Sequence, residues 1–152
     1  MFEQKHAKDT KATETKLSQA EQLSGVVIGA AIEVHRHLGP GLPESIYEKC
    51  LAHELRLRGI KAQRQVPVPL QYKDLIFDET LKLDLLVEDC LLIELKACEA
   101  IHPIHKAQVL SYMRLLDVPL GLLINFHEPL LKNGLHRLIL QPMPTRVDKL
   151  VS

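Results

Sequence analysis

The stretch LDLLVEDCLLIELKA, residues 83–97, decides how this chain is read. Two apolar runs, LDLLV and LLIELK, flank Glu88, Asp89 and Cys90, the pattern of two buried strands joined by a tight loop. Asp84, Glu94 and Lys96 interrupt those runs, where an unpaired charge costs several kcal/mol. If Val87 pairs with Leu91, Asp84 falls opposite Glu94, and directly opposed residues point the same way. Lys96, two positions further on, shares that side, while Leu85, Val87, Leu91, Ile93 and Leu95 turn to the core. A two-residue loop would set Asp84 against Ile93 and undo the arrangement.

Two carboxylates converging on one point form a hard-oxygen site suited to Mg²⁺ or Mn²⁺, with the Leu95 carbonyl and water as further ligands. Lys96 beside them would orient a nucleophilic water or steady charge on a pentavalent phosphorus, which is metal-assisted phosphodiester hydrolysis. The competing reading of the same spacing is a half-exposed sheet face on which Lys96 neutralises one acid.

Around this ribbon the elements follow from periodicity and breakers. Ser18 to Leu38 carries Leu23, Val27, Ala30, Ala31, Val34 and Leu38 on one helical face. Gly39-Pro40-Gly41 stops it, and a second helix is predicted over residues 43–58, with Ile46, Tyr47, Cys50, Leu51 and Leu55 inward. Glu44 and Glu48 lie in its first turn, where exposed N–H groups favour acids. Val66, Val68 and Leu70 alternate with Pro67 and Pro69, so the first strand is predicted to lie at a sheet edge. After Lys96 come a helix from Ile104 to Leu116, a buried strand from Leu120 to Phe126 and a short last strand, LHRLIL. Short turns make the first three strands antiparallel; the helical crossover from Lys96 to Leu120 permits a parallel pair.

Length and composition suit one soluble domain: 152 residues, 46% apolar and 25% charged. Residues 1–17 are expected to be a disordered leader, 18–141 the domain and 142–152 an irregular tail. Lys and Arg number 19 and so do Asp and Glu, so binding of nucleic acid must rest on a local patch. Three widely spaced cysteines without a CxxC pair point to a reducing, cytoplasmic setting. No stretch is long enough to span a membrane, and residues 1–17 lack the apolar core of a secretion signal. His35 and His37 point to different sides of a helix, and His102 and His105 lack a clear third ligand, which argues against zinc. Gly39-Pro40-Gly41 is not followed by the Lys-Ser/Thr of a phosphate loop.

On the third helix His105, Gln108 and Tyr112 share one stripe that would look toward the carboxylates. Gln and Tyr are uncharged groups able to hold a phosphate or a water, although a plain polar flank reads the same way. Asp84, then Glu94-x-Lys96, then Gln108-x-x-x-Tyr112 resembles the PD-(D/E)xK nuclease superfamily, in the RecB-like branch with a QxxxY helix. Gly41, Glu44 and Tyr47, with the runs IELKA and HKAQVLSYM, look like the prokaryotic GxxExxY protein family over residues 22–140.

The resemblance implies an α/β restriction-endonuclease-like αβββαβ core, a mixed sheet flanked by helices, with an extra N-terminal helix. It implies Mg²⁺-dependent cleavage of nucleic acid, DNA favoured, with Mn²⁺ as a substitute ion. Oligomeric state is open, since the proline-rich edge opposes strand pairing there but leaves a homodimer through another interface allowed. By position it makes Asp84 and Glu94 the metal ligands, Lys96 the catalytic lysine, and Gln108 and Tyr112 accessory residues. Glu44 matches the acid that holds a metal-bound water, though an N-terminal helix acid also explains it. Lys82 stands where Arg is expected, keeping a charge for substrate but losing a bidentate phosphate grip, and His105 is a second substrate-side candidate. Leu83 replaces the proline of the superfamily motif, and Glu33 is a further acid with a solvated-helix explanation. The alternative function is a catalytically silent nuclease fold that binds nucleic acid or a protein.

Overall fold

The computed structural model describes residues 2–141, apart from the side chains of residues 2–10 and 13. The expected tail of residues 142–152 lies outside that range. The order is α1 (Phe2–Leu38), α2 (Glu44–Leu57), β1 (Ala62–Val68), β2 (Leu81–Val87), β3 (Leu91–Lys96), α3 (Pro103–Leu116), β4 (Leu120–Asn125), a 3₁₀ turn (Leu131–Gly134) and β5 (Leu135–Ile139). One sheet runs β1-β2-β3-β4-β5, with the proline-bearing β1 at its edge. All neighbours are antiparallel except β3 and β4, which run parallel as the crossover through α3 allows. This is the mixed, helix-flanked α/β sheet expected from the sequence, consistent with a restriction-endonuclease-like fold.

Two apolar layers hold the sheet. On one side Val27, Ala30, Ala31 and Val34 of α1 and Tyr47, Leu51 and Leu55 of α2 pack on Leu85, Val87, Leu91, Ile93 and Leu95. On the other, Val109, Tyr112 and Met113 of α3 pack on Leu83, Leu86, Leu92 and Leu123. Gly121 permits that second contact: a Cβ there would meet Met113 Sδ at 2.8 Å and Val109 Cγ1 at 3.0 Å.

Two of the predicted inward residues, Leu38 and Ile46, are instead 38% exposed. Each sits within a few residues of the Gly39–Pro43 connection. The first helix also departs from expectation. It begins at Phe2 rather than Ser18, so the segment read as a disordered leader follows a helical path. Lys is the commonest residue of that segment, with Ala and Glu among the rest, and no Gly or Pro occurs before Gly25, so no breaker stops helix propagation. Lys16 Nζ donates to the carbonyl of Asp117 at the end of α3 (3.1 Å), and Leu17 packs on the core.

Among the described residues, no helix is long and apolar enough to cross a membrane.

Candidate active site

The β2–β3 ribbon has the register that places Asp84 against Glu94: Val87 opposes Leu91, Leu86 opposes Leu92 and Leu85 opposes Ile93. Glu88 and Asp89 make the turn with left-handed φ of 49° and 57°. The ladder ends at Leu85–Ile93, and beyond it the two carboxylates enter the fork between the strands. The Asp84 N–H donates to Glu94 Oε1 (3.0 Å), and the Leu95 N–H donates to Asp84 Oδ2 (2.8 Å). Each acid thus caps the backbone of the opposite strand, which answers how two carboxyl groups tolerate an apolar ribbon.

A slip in strand alternation accompanies the fork. Ala62 of β1 packs on the α1–α2 side, but Val66 and Val68, in phase with it, join the α3 side. In β2, Leu85 and Val87 face α1 and α2, whereas Leu83 faces α3. Both strands therefore change phase at the same level, between Arg64–Leu85 and Val66–Leu83, where Gln65 and Asp84 stand. Gln65 absorbs the change with φ of 51°, a left-handed conformation uncommon for a residue with a Cβ.

Gln65 is also the hub of a polar network. Its Nε2 donates to Glu48 Oε1 (2.9 Å) and Oε2 (3.0 Å) and approaches Asp84 Oδ1 (3.4 Å). Arg64 Nε stands 3.5 Å from Glu48 Oε1, so buried Glu48 has an ionic partner as well. Sequence reasoning counted Glu48 as a helix-start acid and did not single out Gln65. The available signal was spacing: Glu48 lies one turn beyond Glu44, on the same stripe of α2.

Glu44 completes the acidic wall. Its half-buried carboxyl is pushed above the usual range by burial; the charges of Asp84 and Glu48 add to the rise, and Lys96 opposes it. Its position follows from the connection before α2. Gly39 and Gly41 take φ of 67° and 103°, the Tyr47 hydroxyl donates to the Gly39 carbonyl, and the Leu42 N–H donates to that hydroxyl (3.1 Å). Tyr47 also stacks on Phe126, with ring centroids 4.5 Å apart, the packing role its sequence suggested.

Glu94 carries the largest perturbation of the site. Burial, then the adjacent Asp84 charge, push its carboxyl from 4.5 up to about 8, against the pull of the Asp84 N–H and of Lys96. Lys96 is half-buried, and its charge is felt by Glu94, Glu44 and His105. The strand end that carries it is clamped by buried Asn125, its partner across β3–β4. Asn125 Oδ1 accepts from Cys98 N–H (3.1 Å), its Nδ2 donates to Cys98 O (2.8 Å), and Phe126 N–H donates to Lys96 O (2.8 Å).

The remaining predicted residues make no hydrogen bond to the fork among the described residues. Gln108 Nε2 donates to the Tyr112 hydroxyl (3.0 Å), and no hydrogen bond joins either to Asp84, Glu94 or Lys96 among the described residues. Tyr112 is buried in the α3-side core. His105 Nδ1 accepts the His102 N–H (3.0 Å) as part of the α3 cap, and burial, followed by the Lys96 and His102 charges, lowers its pKa. Lys82 is exposed and pairs with Pro67 on the β1–β2 ladder. Glu33 bonds with Arg36 and His37 on its own helix, the solvated role foreseen for it.

The donor set fits a hard divalent cation. Asp84 and Glu94 each offer carboxylate oxygen in one fork, and the upward shift of Glu94 marks negative charge that a cation would relieve. Among the described residues, no three His, Cys, Asp or Glu side chains form a ready-made cage. Two carboxylates with water making up the rest is the ordinary mode for Mg²⁺.

A family model described as the PD-(D/E)XK nuclease superfamily matches residues 21–138. Members of that superfamily are typically nucleases and generally use divalent metals such as Mg²⁺. No curated protein and no solved structure matches the chain.

Proposed function

The chain belongs to the PD-(D/E)XK nuclease superfamily, and from that premise we propose that it hydrolyses phosphodiester bonds of nucleic acid, DNA before RNA. The observation that carries this reading is the fork in which Asp84 and Glu94 converge beside Lys96. Asp84 and Glu94 would hold Mg²⁺, or Mn²⁺ in its place. When bound there, such an ion supplies a lowered water pKa and offsets phosphate charge.

The chain's own groups divide the remaining work. The Lys96 ammonium donates to the attacking water or to the phosphate oxygens as they gain charge. Glu44, facing Asp84 and Lys96, accepts a hydrogen bond from a water in the cluster and fixes its direction. Gln65 restrains Asp84 and Glu48 by its amide and is a positioning residue. Gln108 and Tyr112 orient each other on the α3 flank, and Lys82 and His105 meet the substrate away from the scissile bond. The setting is cytoplasmic, in keeping with three free cysteines at residues 50, 90 and 98, and a homodimer is compatible with the place of β5 at the end of the sheet.

The test is incubation with linear, supercoiled and single-stranded DNA and with RNA, with and without Mg²⁺ or Mn²⁺. Metal-dependent cleavage that disappears in Asp84→Asn and Lys96→Ala is expected. Cleavage that survives both substitutions, or none on any substrate together with no metal binding by titration calorimetry, sinks the reading.

A further inference from the structure

We propose that the cleft between α2 and β1 carries the phosphodiester backbone of nucleic acid toward the carboxylate fork. The proposal rests on the nuclease reading for its direction, but its evidence is separate. The cleft has a volume of about 500 Å³, and Lys49, His53, Arg56, Lys61 and Arg64 line it with no acidic side chain among them.

One wall is helical. Lys49, His53 and Arg56 follow i, i+4, i+7 and form a basic stripe along α2. The other wall is the turn into β1, where Lys61 is pinned through its backbone. Its N–H donates to Glu88 Oε1 (2.8 Å), and its carbonyl accepts the Glu88 N–H (3.0 Å). Among the described residues, Lys49, Arg56 and Lys61 take part in no ion pair. Arg56 Nη2 lies 2.7 Å from His53 Nδ1, which leaves the guanidinium charge uncompensated. Cations facing one another across a cleft repel, and a chain of phosphates relieves that repulsion while releasing its own counterions.

A chain of side-chain contacts links the cleft to the fork. Arg64 bridges them, since it lines the cleft and stands 3.5 Å from Glu48 Oε1. Glu48 connects through Gln65 to Asp84. A polyanion following the cations thus arrives at the acids, where its negative charge is tolerated only with a divalent ion present. A concave channel suits a thread-like polyanion, whereas a bilayer surface would require a flat or convex basic face.

The experiment uses the full chain carrying Asp84→Asn, so that bound substrate is not cut, in EDTA and again in Ca²⁺. Fluorescein-labelled single-stranded and duplex DNA and RNA are titrated by anisotropy over a range of NaCl. Lys49→Gln, Arg56→Gln and Lys61→Gln are introduced together; Lys106→Gln, Arg114→Gln and Lys132→Gln remove equal charge from exposed positions elsewhere.

The cleft variant is expected to bind about tenfold or more weakly and to lower the salt slope by about 2–3, with the control within about twofold of the parent. Each single cleft substitution should lower the slope by about 1, which keeps the test decisive if the triple variant folds poorly. Equal losses in both triple variants, an unchanged slope in the cleft variant, no nucleic acid bound, or tighter binding to phosphatidylserine vesicles would each overturn the proposal. Cleft-dependent binding, where the unsubstituted chain cleaves no substrate with Mg²⁺ or Mn²⁺ and binds neither metal, would uphold the cleft and remove the nuclease reading.

Discussion

Helix α2 presents opposite charges on neighbouring stripes. Glu44 and Glu48 look toward Asp84 and Gln65, whereas Lys49, His53 and Arg56 look into the cleft against β1. Glu44 is half-buried, and buried Glu48 enters a hydrogen-bonded network; the bases are exposed and, among the described residues, outside ion pairs. The two stripes differ in what they require. Buried carboxylates near one another raise the free energy of the fold until a cation or a proton arrives. Exposed cations cost little and wait for a polyanion. A chain with zero formal charge can therefore hold a cation site and an anion track side by side.

The largest expected effect concerns the acidic side. Glu94 is raised in the folded state, so folded protein binds more protons than unfolded protein between the unfolded value near 4.5 and about 8. Stability of the metal-free protein should fall as pH rises through that window and level off above it. Urea denaturation in EDTA across this range checks it, and Glu94→Gln should flatten the profile; an equally steep profile in that variant would assign the effect elsewhere.

Next in size, Asp84→Asn should reduce Mg²⁺-dependent cleavage by about 10²–10³, equivalent to roughly 3–4 kcal/mol, while far-UV circular dichroism stays unchanged. A variant that cuts at the parental rate would mean the fork is not where chemistry happens. Mg²⁺ at about a hundred times its dissociation constant should stabilise the parent by about 2.7 kcal/mol and Glu94→Gln by much less. Equal stabilisation of both would place the ion elsewhere.

Glu48→Ala should cost about 1–3 kcal/mol, because Gln65 Nε2 and the Arg64 guanidinium lose their shared acceptor. Thermal denaturation measures it, and a change below about 0.5 kcal/mol would show that the network is not structural. Smallest of all, Lys49→Gln should move stability by less than about 0.5 kcal/mol and still register in the salt dependence of nucleic-acid binding. A large loss of stability there would erase the distinction between the two stripes of α2.

Much of this was legible before any coordinates. Alternating apolar residues around Glu88–Cys90 specify a hairpin, and only one loop length brings Asp84 to Glu94, so the register could be read from the chain. The proline pair marked the edge strand, and the length of the Lys96–Leu120 connection allowed the parallel pair. On the third helix Gln108 and Tyr112 share a face, as their spacing predicts, and bond to each other, whereas the packing of the Tyr112 ring in the core beneath α3 depends on the sheet. Glu48 was passed over because a helix acid one turn from Glu44 looks solvated until β1 is brought against it.

By itself, then, the sequence determined the order of elements, the hairpin register and the identity of the charges in the fork, because each depends on local periodicity and short loops. Tertiary structure alone decided the phase slip at Gln65 and Asp84, the burial of Glu48 and the meeting of five basic side chains across a cleft. Those features arise where α2, β1 and β2 pack together. A side chain's partner across such a contact is set by the three-dimensional path of the chain, and no local pattern encodes it.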